Sequence, residues 1–96
     1  MESRLFTSII ERPDGWLSVS VDIWRRGLPG EHWWFGVYAS RERARHATSL
    51  ANEFLGGVLR RRGTIEERDI ADTYWLVERT PTAVVDEWPG TIAYAS

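Results

Sequence analysis

The side chains that most often do chemistry in proteins are sparse in this sequence. It contains no cysteine, and its two histidines, His32 and His46, do not have the HExxH spacing of a helical zinc site. His46 stands near Glu42 and Asn52 on a predicted helix, and His32 borders a turn beside Glu31. We therefore expect two surface histidines, with no metal site and no acid–base pair.

Signatures of nucleophilic and nucleotide chemistry are also missing. No serine stands in a GxSxG elbow, and Gly27 and Gly30 have neither the spacing nor the following helix of a phosphate-binding loop. The acidic residues between positions 66 and 72 lack the spacing of a calcium loop and suit the first turn of a helix. We predict a protein that is not an enzyme and that holds no metal or cofactor.

Tryptophan and arginine are the residue types in surplus. Six of the 96 residues are tryptophan, and all 12 basic residues are arginine. The use of arginine alone is explained either by a GC-rich genome or by selection for the chemistry of the guanidinium group. Both types are enriched in the energetic hot spots of protein–protein interfaces. Alternation along a predicted strand places two of the tryptophans on its polar face. The candidate contact surface comprises Trp16, Trp24, Arg25, Arg26 and Trp34.

The densest run of positive charge supports a second hypothesis, which is nucleic-acid binding. Arginines stand at both ends of a predicted helix, and they would follow a phosphate backbone if both ends lay on one surface, with exposed aromatic rings stacking on bases beside them. The net charge of −2 argues against this hypothesis. The candidate residues are Arg41, Arg45, Arg60, Arg61 and Arg62, with Trp24, Trp34 and Tyr38 as the stacking rings.

Hydrophobic periodicity predicts the elements that position these side chains. Residues 4–12 and 16–24 are predicted strands of a β-hairpin, joined by the turn-forming Pro13-Asp14-Gly15. A break at residues 27–30 precedes a third predicted strand at 32–39. In that strand, simple alternation separates positions 33, 35 and 37 from positions 34, 36 and 38.

The second half of the chain begins with a predicted amphipathic helix. Ser40 is a suitable N-cap, and apolar residues follow at spacings of three and four. Gly56-Gly57 is the predicted stop, although the pattern also permits a helix that continues to Arg62. A capping-box pattern at positions 64–67 predicts a short second helix from Ile65 to about Asp72.

Two further strands are predicted at residues 73–79 and 82–88, separated by a turn at Thr80-Pro81. We therefore expect a single α+β domain over residues 1–96, in the order β-β-β-α-(α)-β-β. An antiparallel sheet of about five strands would carry one main amphipathic helix on one face. Residues 91–96 are expected to dock on the domain.

The composition of the chain also predicts where the protein acts and what it does. No apolar run is long enough to span a bilayer, the first residues do not form a signal core, and the absence of cysteine suits a reducing compartment. We expect a cytoplasmic protein-binding domain with no membrane partner, such as a small inhibitor, immunity or accessory factor of microbial or phage origin. Its partner would be another protein or a second copy, as a homodimer. In the competing structural explanation, Trp88, Ile92 and Tyr94 cover the tryptophan-bearing face.

Overall fold

The computed structural model describes residues 2–81 of the chain. The strands form one antiparallel sheet in the order β1-β2-β3, α1 packs across one face of it, and α2 lies against α1 and β3. The prediction of an α+β fold with an antiparallel sheet is confirmed. The elements are β1 (Ser3–Glu11), β2 (Leu17–Arg25), β3 (Leu28–Tyr38), α1 (Arg41–Arg62) and α2 (Glu67–Arg79).

The prediction of about five strands and a single main helix is wrong, because residues 2–81 hold three strands and two helices. Residues 73–79, predicted as a strand from their β-branched and aromatic content, are the second half of α2. Their apolar positions follow a helical period, since Ile70, Thr73 and Val77 are all buried. The predicted strand at 82–88 and the expected docking of 91–96 lie outside the described residues.

The core lies between β2 and α1. Alternation along β2 turns Leu17, Val19, Val21 and Ile23 to one side, and each of these side chains is at most 5% exposed. The buried stripe of α1 that covers them is rich in small side chains, which keep the helix surface flat against the sheet. That stripe contains Ala44, Ala47, Ala51, Leu55, Val58 and Leu59.

A β-bulge in β3 breaks the simple alternation predicted for that strand. Val19 pairs with Gly36 and Ser20 pairs with Trp34, so Phe35 is an extra residue without a partner in β2. Because of this insertion, Trp33 and Gly36 both fall on the side of the sheet that faces α1. The predicted grouping of positions 33, 35 and 37 on one face is therefore wrong.

Gly36 is required at the bulge for steric reasons. A Cβ at this position would lie 3.1 Å from the hydroxyl oxygen of Tyr38 and 3.2 Å from Cε1 of Tyr74. Any larger residue would therefore push both rings away. The glycine thus allows the strand, its bulge and α2 to pack together.

Helix α1 has well-defined ends. The hydroxyl of Ser40 accepts a hydrogen bond from the backbone N–H of Arg43 at 3.2 Å, as expected for an N-cap. The helix continues through Gly56-Gly57 and ends at Gly63, which has a φ of 78° and donates its N–H to the carbonyl of Leu59. The predicted stop at Gly56-Gly57 is wrong, because Val58 and Leu59 are buried and hold the last turn against the core.

Asp69 joins the end of α1 to the start of α2. Its carboxylate accepts a hydrogen bond from the backbone N–H of Glu66 at 2.8 Å, as in a capping box, and forms an ion pair with Arg62. Only 6% of Asp69 is exposed. Neither helix in residues 2–81 is long and apolar enough to cross a membrane.

Candidate functional site

The outer face of the sheet is the side turned away from α1. The pairing register places alternate residues of all three strands on this side. Its large apolar members are exposed to solvent, at 53% for Phe6, 57% for Ile10, 44% for Trp24 and 61% for Trp34. The outer face consists of Arg4, Phe6, Ser8, Ile10, Ser18, Ser20, Asp22, Trp24, His32, Trp34 and Val37.

Trp24 lies near one end of this face, directly opposite Arg4 on β1. The guanidinium carbon of Arg4 is 5.9 Å from the centre of the Trp24 ring, and its Nη2 lies 3.0 Å from Oε2 of Glu2. Arg26 and Phe6 border the same shallow depression of about 380 Å³. The predicted residues Trp24 and Arg26 are therefore close together on the surface.

His32 lies in the middle of β3 on the outer face and is paired with a carboxylate of β2. Its Nδ1 is 2.6 Å from Oδ1 of Asp22, and both side chains are substantially exposed. Both charged side chains of the outer face therefore have a local partner, Asp22 in His32 on the face and Arg4 in the neighbouring Glu2. This leaves an apolar surface with little net charge.

Trp16 extends the outer face at the opposite end from Trp24. Its carbonyl accepts the N–H of Arg12 at 2.8 Å, which continues the hairpin ladder beyond β2, and its own N–H donates to Oδ1 of Asp14 at 3.0 Å. Gly15 supplies the positive φ, 89°, that this turn requires. Trp16 and Trp24 are eight positions apart, which is about 26 Å along an extended strand.

Arg25, also predicted as a contact residue, does not lie on the outer face. It follows Trp24 in β2, so alternation turns it to the opposite side. Its Nη1 forms an ion pair with Glu31, and its Nη2 donates to the hydroxyl of Thr64 at 3.1 Å. Arg25 therefore fastens the β2–β3 hairpin to the connection between the two helices.

The arginines of the nucleic-acid hypothesis divide between the two ends of α1. Arg41 and Arg45 lie in its first turns, where Nη2 of Arg41 is 3.5 Å from Oε1 of Glu11 and Arg45 is half-buried. The helix has 22 residues, so these arginines lie about 22–32 Å along its axis from the group at the other end. The structure does not bring the two groups together on one patch.

At the C-terminal end of α1, only two of the three consecutive arginines are without an acidic partner. Arg62 pairs with Asp69 and with Glu66, whereas Arg60 and Arg61 are exposed and form no ion pair with any residue from 2 to 81. The sheet lies between α1 and the outer-face tryptophans. The predicted stacking ring of Tyr38 is itself buried.

The two histidines lie on different sides of the sheet. His46 is only 3% exposed, and its Nε2–H donates to the carbonyl of Thr80 at 2.9 Å, so the prediction of a surface residue is wrong for this histidine. It is buried because α2 packs against that side of α1. Across residues 2–81, no three metal-ligating side chains are close enough to hold an ion.

Sequence reasoning missed a groove between β3 and α2. The groove has a volume of about 530 Å³ and is called the β3–α2 groove below. It was missed because residues 73–79 were predicted as a strand; the helical spacing of Ile70, Thr73 and Val77 was the available signal. The groove is lined by Trp33, Trp34, Phe35, Val37, Glu67, Ile70, Ala71, Tyr74 and Trp75.

Comparison with known proteins adds no relative. No family model, no curated protein and no solved structure matches this chain. The features available for a functional proposal are the outer face, the β3–α2 groove and the two arginines at the end of α1 that have no acidic partner within residues 2–81.

Proposed function

We propose that this chain is a protein-binding domain without catalytic activity of its own, and that the outer face of the sheet is its contact surface. The observation that supports the proposal is the exposure of Phe6, Ile10, Trp24 and Trp34 on a sheet whose other face is closed by α1. Apolar patches with a polar rim are uncommon on monomeric proteins and mark interaction sites. Tryptophan is the side chain that most often anchors such contacts.

Charge favours a protein partner over a nucleic acid. A ligand with a phosphate backbone needs several free cations beside the rings on which its bases stack. On the outer face, Arg4 is paired with Glu2, and His32 with Asp22. A neutral, ring-rich surface instead complements an apolar patch on another protein, with Arg26 available at the rim for polar contacts.

The proposed partner is another protein, and self-association through the same face is one form of the proposal. Small inhibitor, immunity and accessory factors are the roles that suit a domain of this size. We place the interaction in the cytoplasm, because a chain without cysteine suits a reducing compartment.

Affinity capture with paired variants tests this proposal. The tagged chain is incubated with nuclease-treated lysate, and the captured protein is quantified for the wild type, for Trp24→Ala with Trp34→Ala, and for Arg60→Ala with Arg61→Ala. Removing the two rings should weaken capture of the same protein by about 30-fold for each ring, since each hot-spot ring contributes about 2 kcal/mol. The arginine pair should bind like the wild type.

Two results would count against the proposal. Recovery of nucleic acid without nuclease, with loss in the arginine pair only, would support the alternative of a nucleic-acid-binding domain. Capture that is equal in all three proteins would show that the outer face is not the contact surface.

A further inference from the structure

We propose a second binding site, in the β3–α2 groove, for an arginine or lysine side chain carried by an extended segment of a partner protein. The site adjoins the outer face, since Trp34 and Val37 belong to both, but its other lining residues lie outside that face. Three independent features of the groove support the proposal: its ring geometry, its unpaired carboxylate and its position at a sheet edge.

The first feature is the arrangement of the aromatic rings. Tyr74 and Trp75 have ring centres 5.5 Å apart and ring planes at 82°, and Phe35 lies 6.1 Å from Tyr74 at 58°. Rings that meet nearly at right angles cannot stack on one another, and 60% of Trp75 remains exposed. Trp75 lines the groove, and guanidinium and ammonium groups are attracted to the faces of exposed aromatic rings.

The second feature is the charge of the groove. Glu67 is the acidic residue in its lining, and it has no hydrogen bond or ion pair with any residue from 2 to 81. Three other acids of this region are engaged, since Glu66 and Asp69 pair with Arg62, and Glu78 lies 3.7 Å from Arg43. Asp72 is also exposed, but it lies outside the groove lining. A first-turn acid favours the dipole of α2, but that role does not require an aromatic groove beside it. A cation in the groove would neutralise Glu67.

The third feature is the backbone of β3. Within the described part of the chain, β3 pairs with β2 alone, so it is an edge strand. Edge strands accept an extended segment from another chain through backbone hydrogen bonds, and alternate side chains of that segment then enter neighbouring pockets. The groove volume of about 530 Å³ falls within the range of about 300–1,000 Å³ typical of ligand sites.

A titration with short peptides tests the proposal on the full-length chain. The probe is the capped pentapeptide acetyl-Thr-Val-Arg-Val-Thr-amide, and the readout is the NMR signals of the tryptophan indole N–H groups. We expect the Trp75 signal to move in a saturable way and the Trp16 signal to stay in place. The matched peptide with glutamine in place of arginine should bind at least about threefold more weakly, because it lacks the charge.

Variants of the chain separate the contributions of charge and ring. Glu67→Gln should weaken binding of the arginine peptide by about threefold, and Trp75→Ala by about tenfold. Asp72→Asn is the matched control, since Asp72 is an exposed acid of α2 outside the groove lining. Both groove positions are exposed, so the variants should keep the wild-type melting temperature to within a few degrees.

The proposal would be overturned by any of three outcomes. These are no binding of the arginine peptide at millimolar concentration, equal affinity for the glutamine peptide, and equal weakening by Asp72→Asn and Glu67→Gln. None of them bears on the outer face, because Phe6, Ile10 and Trp24 are not part of the groove lining.

Discussion

The two faces of the sheet come from the same three strands but are built from different side chains. The inner face of β2 carries aliphatic residues such as Val19 and Val21, fully buried against an alanine-rich helix. The outer face carries large rings such as Trp24 and Trp34, separated by serines and by charges that are paired locally. Under the proposed function, the inner face supplies stability and the outer face supplies recognition. The predictions below test that division.

The largest loss of stability is expected when a buried side chain of α1 is shortened. Leu55 of α1 is fully buried, so Leu55→Ala should lower the free energy of unfolding by about 3 kcal/mol, measured by urea denaturation. The adjacent Phe54 is 40% exposed and is the matched control, since Phe54→Ala should cost less than about 1 kcal/mol. If Leu55→Ala and Phe54→Ala lowered the free energy of unfolding equally, burial would not distinguish the two sides of α1.

The arginines at the end of α1 are also expected to differ in their contribution to stability. Arg62→Ala would leave the buried carboxylate of Asp69 without its ion-pair partner, so we expect a loss of about 2 kcal/mol in the free energy of unfolding. Arg61→Ala should change it by less than about 0.5 kcal/mol, because Arg61 is exposed and unpaired within residues 2–81. If both variants unfold at the same urea concentration, Arg62 has no structural role.

The pH dependence of stability tests the packing of the inner face, because the phenol of Tyr38 is buried there. Burial of the phenol raises the pKa of Tyr38 above its usual range, and the nearby carboxylate of Glu78 adds to this increase. The unfolded chain loses this proton near pH 10, before the folded protein does, so stability is complete below pH 10 and falls as the pH rises above it. At pH 11 the wild type should have lost about 1 kcal/mol more stability than Tyr38→Phe, relative to pH 8. Parallel losses in the two proteins would contradict this assignment.

The smallest effect on stability is expected on the outer face. Trp24→Ala and Trp34→Ala should each change the free energy of unfolding by less than about 1 kcal/mol, because both rings are largely exposed. Urea denaturation of the two variants beside Leu55→Ala provides the comparison. A loss near 3 kcal/mol at either position would mean that the ring is a core residue and that the two faces are not divided in function.

Local patterns predicted much of this fold. The strict alternation of β2 predicted both of its faces, and Ser40 with the apolar spacing that follows predicted the start of α1. The same alternation would have excluded Arg25 from the contact surface, since it follows Trp24 in β2. That error came from grouping residues by their proximity in sequence.

Other features depend on tertiary packing, which single-sequence patterns do not contain. The bulge at Phe35 depends on pairing with β2 and on the close approach of Tyr74 to Gly36. Residues 73–79 have high strand propensity, yet burial against α1 and β3 makes them helical. The helical spacing of Ile70, Thr73 and Val77 could have identified α2, but the β3–α2 groove itself forms only when that helix packs beside β3.

Photo-crosslinking tests the central claim most directly, because the chain offers two exposed phenylalanines on opposite sides of the sheet. Phe6 lies on the outer face and Phe54 on α1, and both are exposed, so the added benzoyl group of benzoylphenylalanine can project into solvent at either position. The account predicts a protein crosslink, to a partner or to a second copy, from position 6 and none from position 54. A crosslink from position 54 alone, or nuclease-sensitive products from either position, would contradict it.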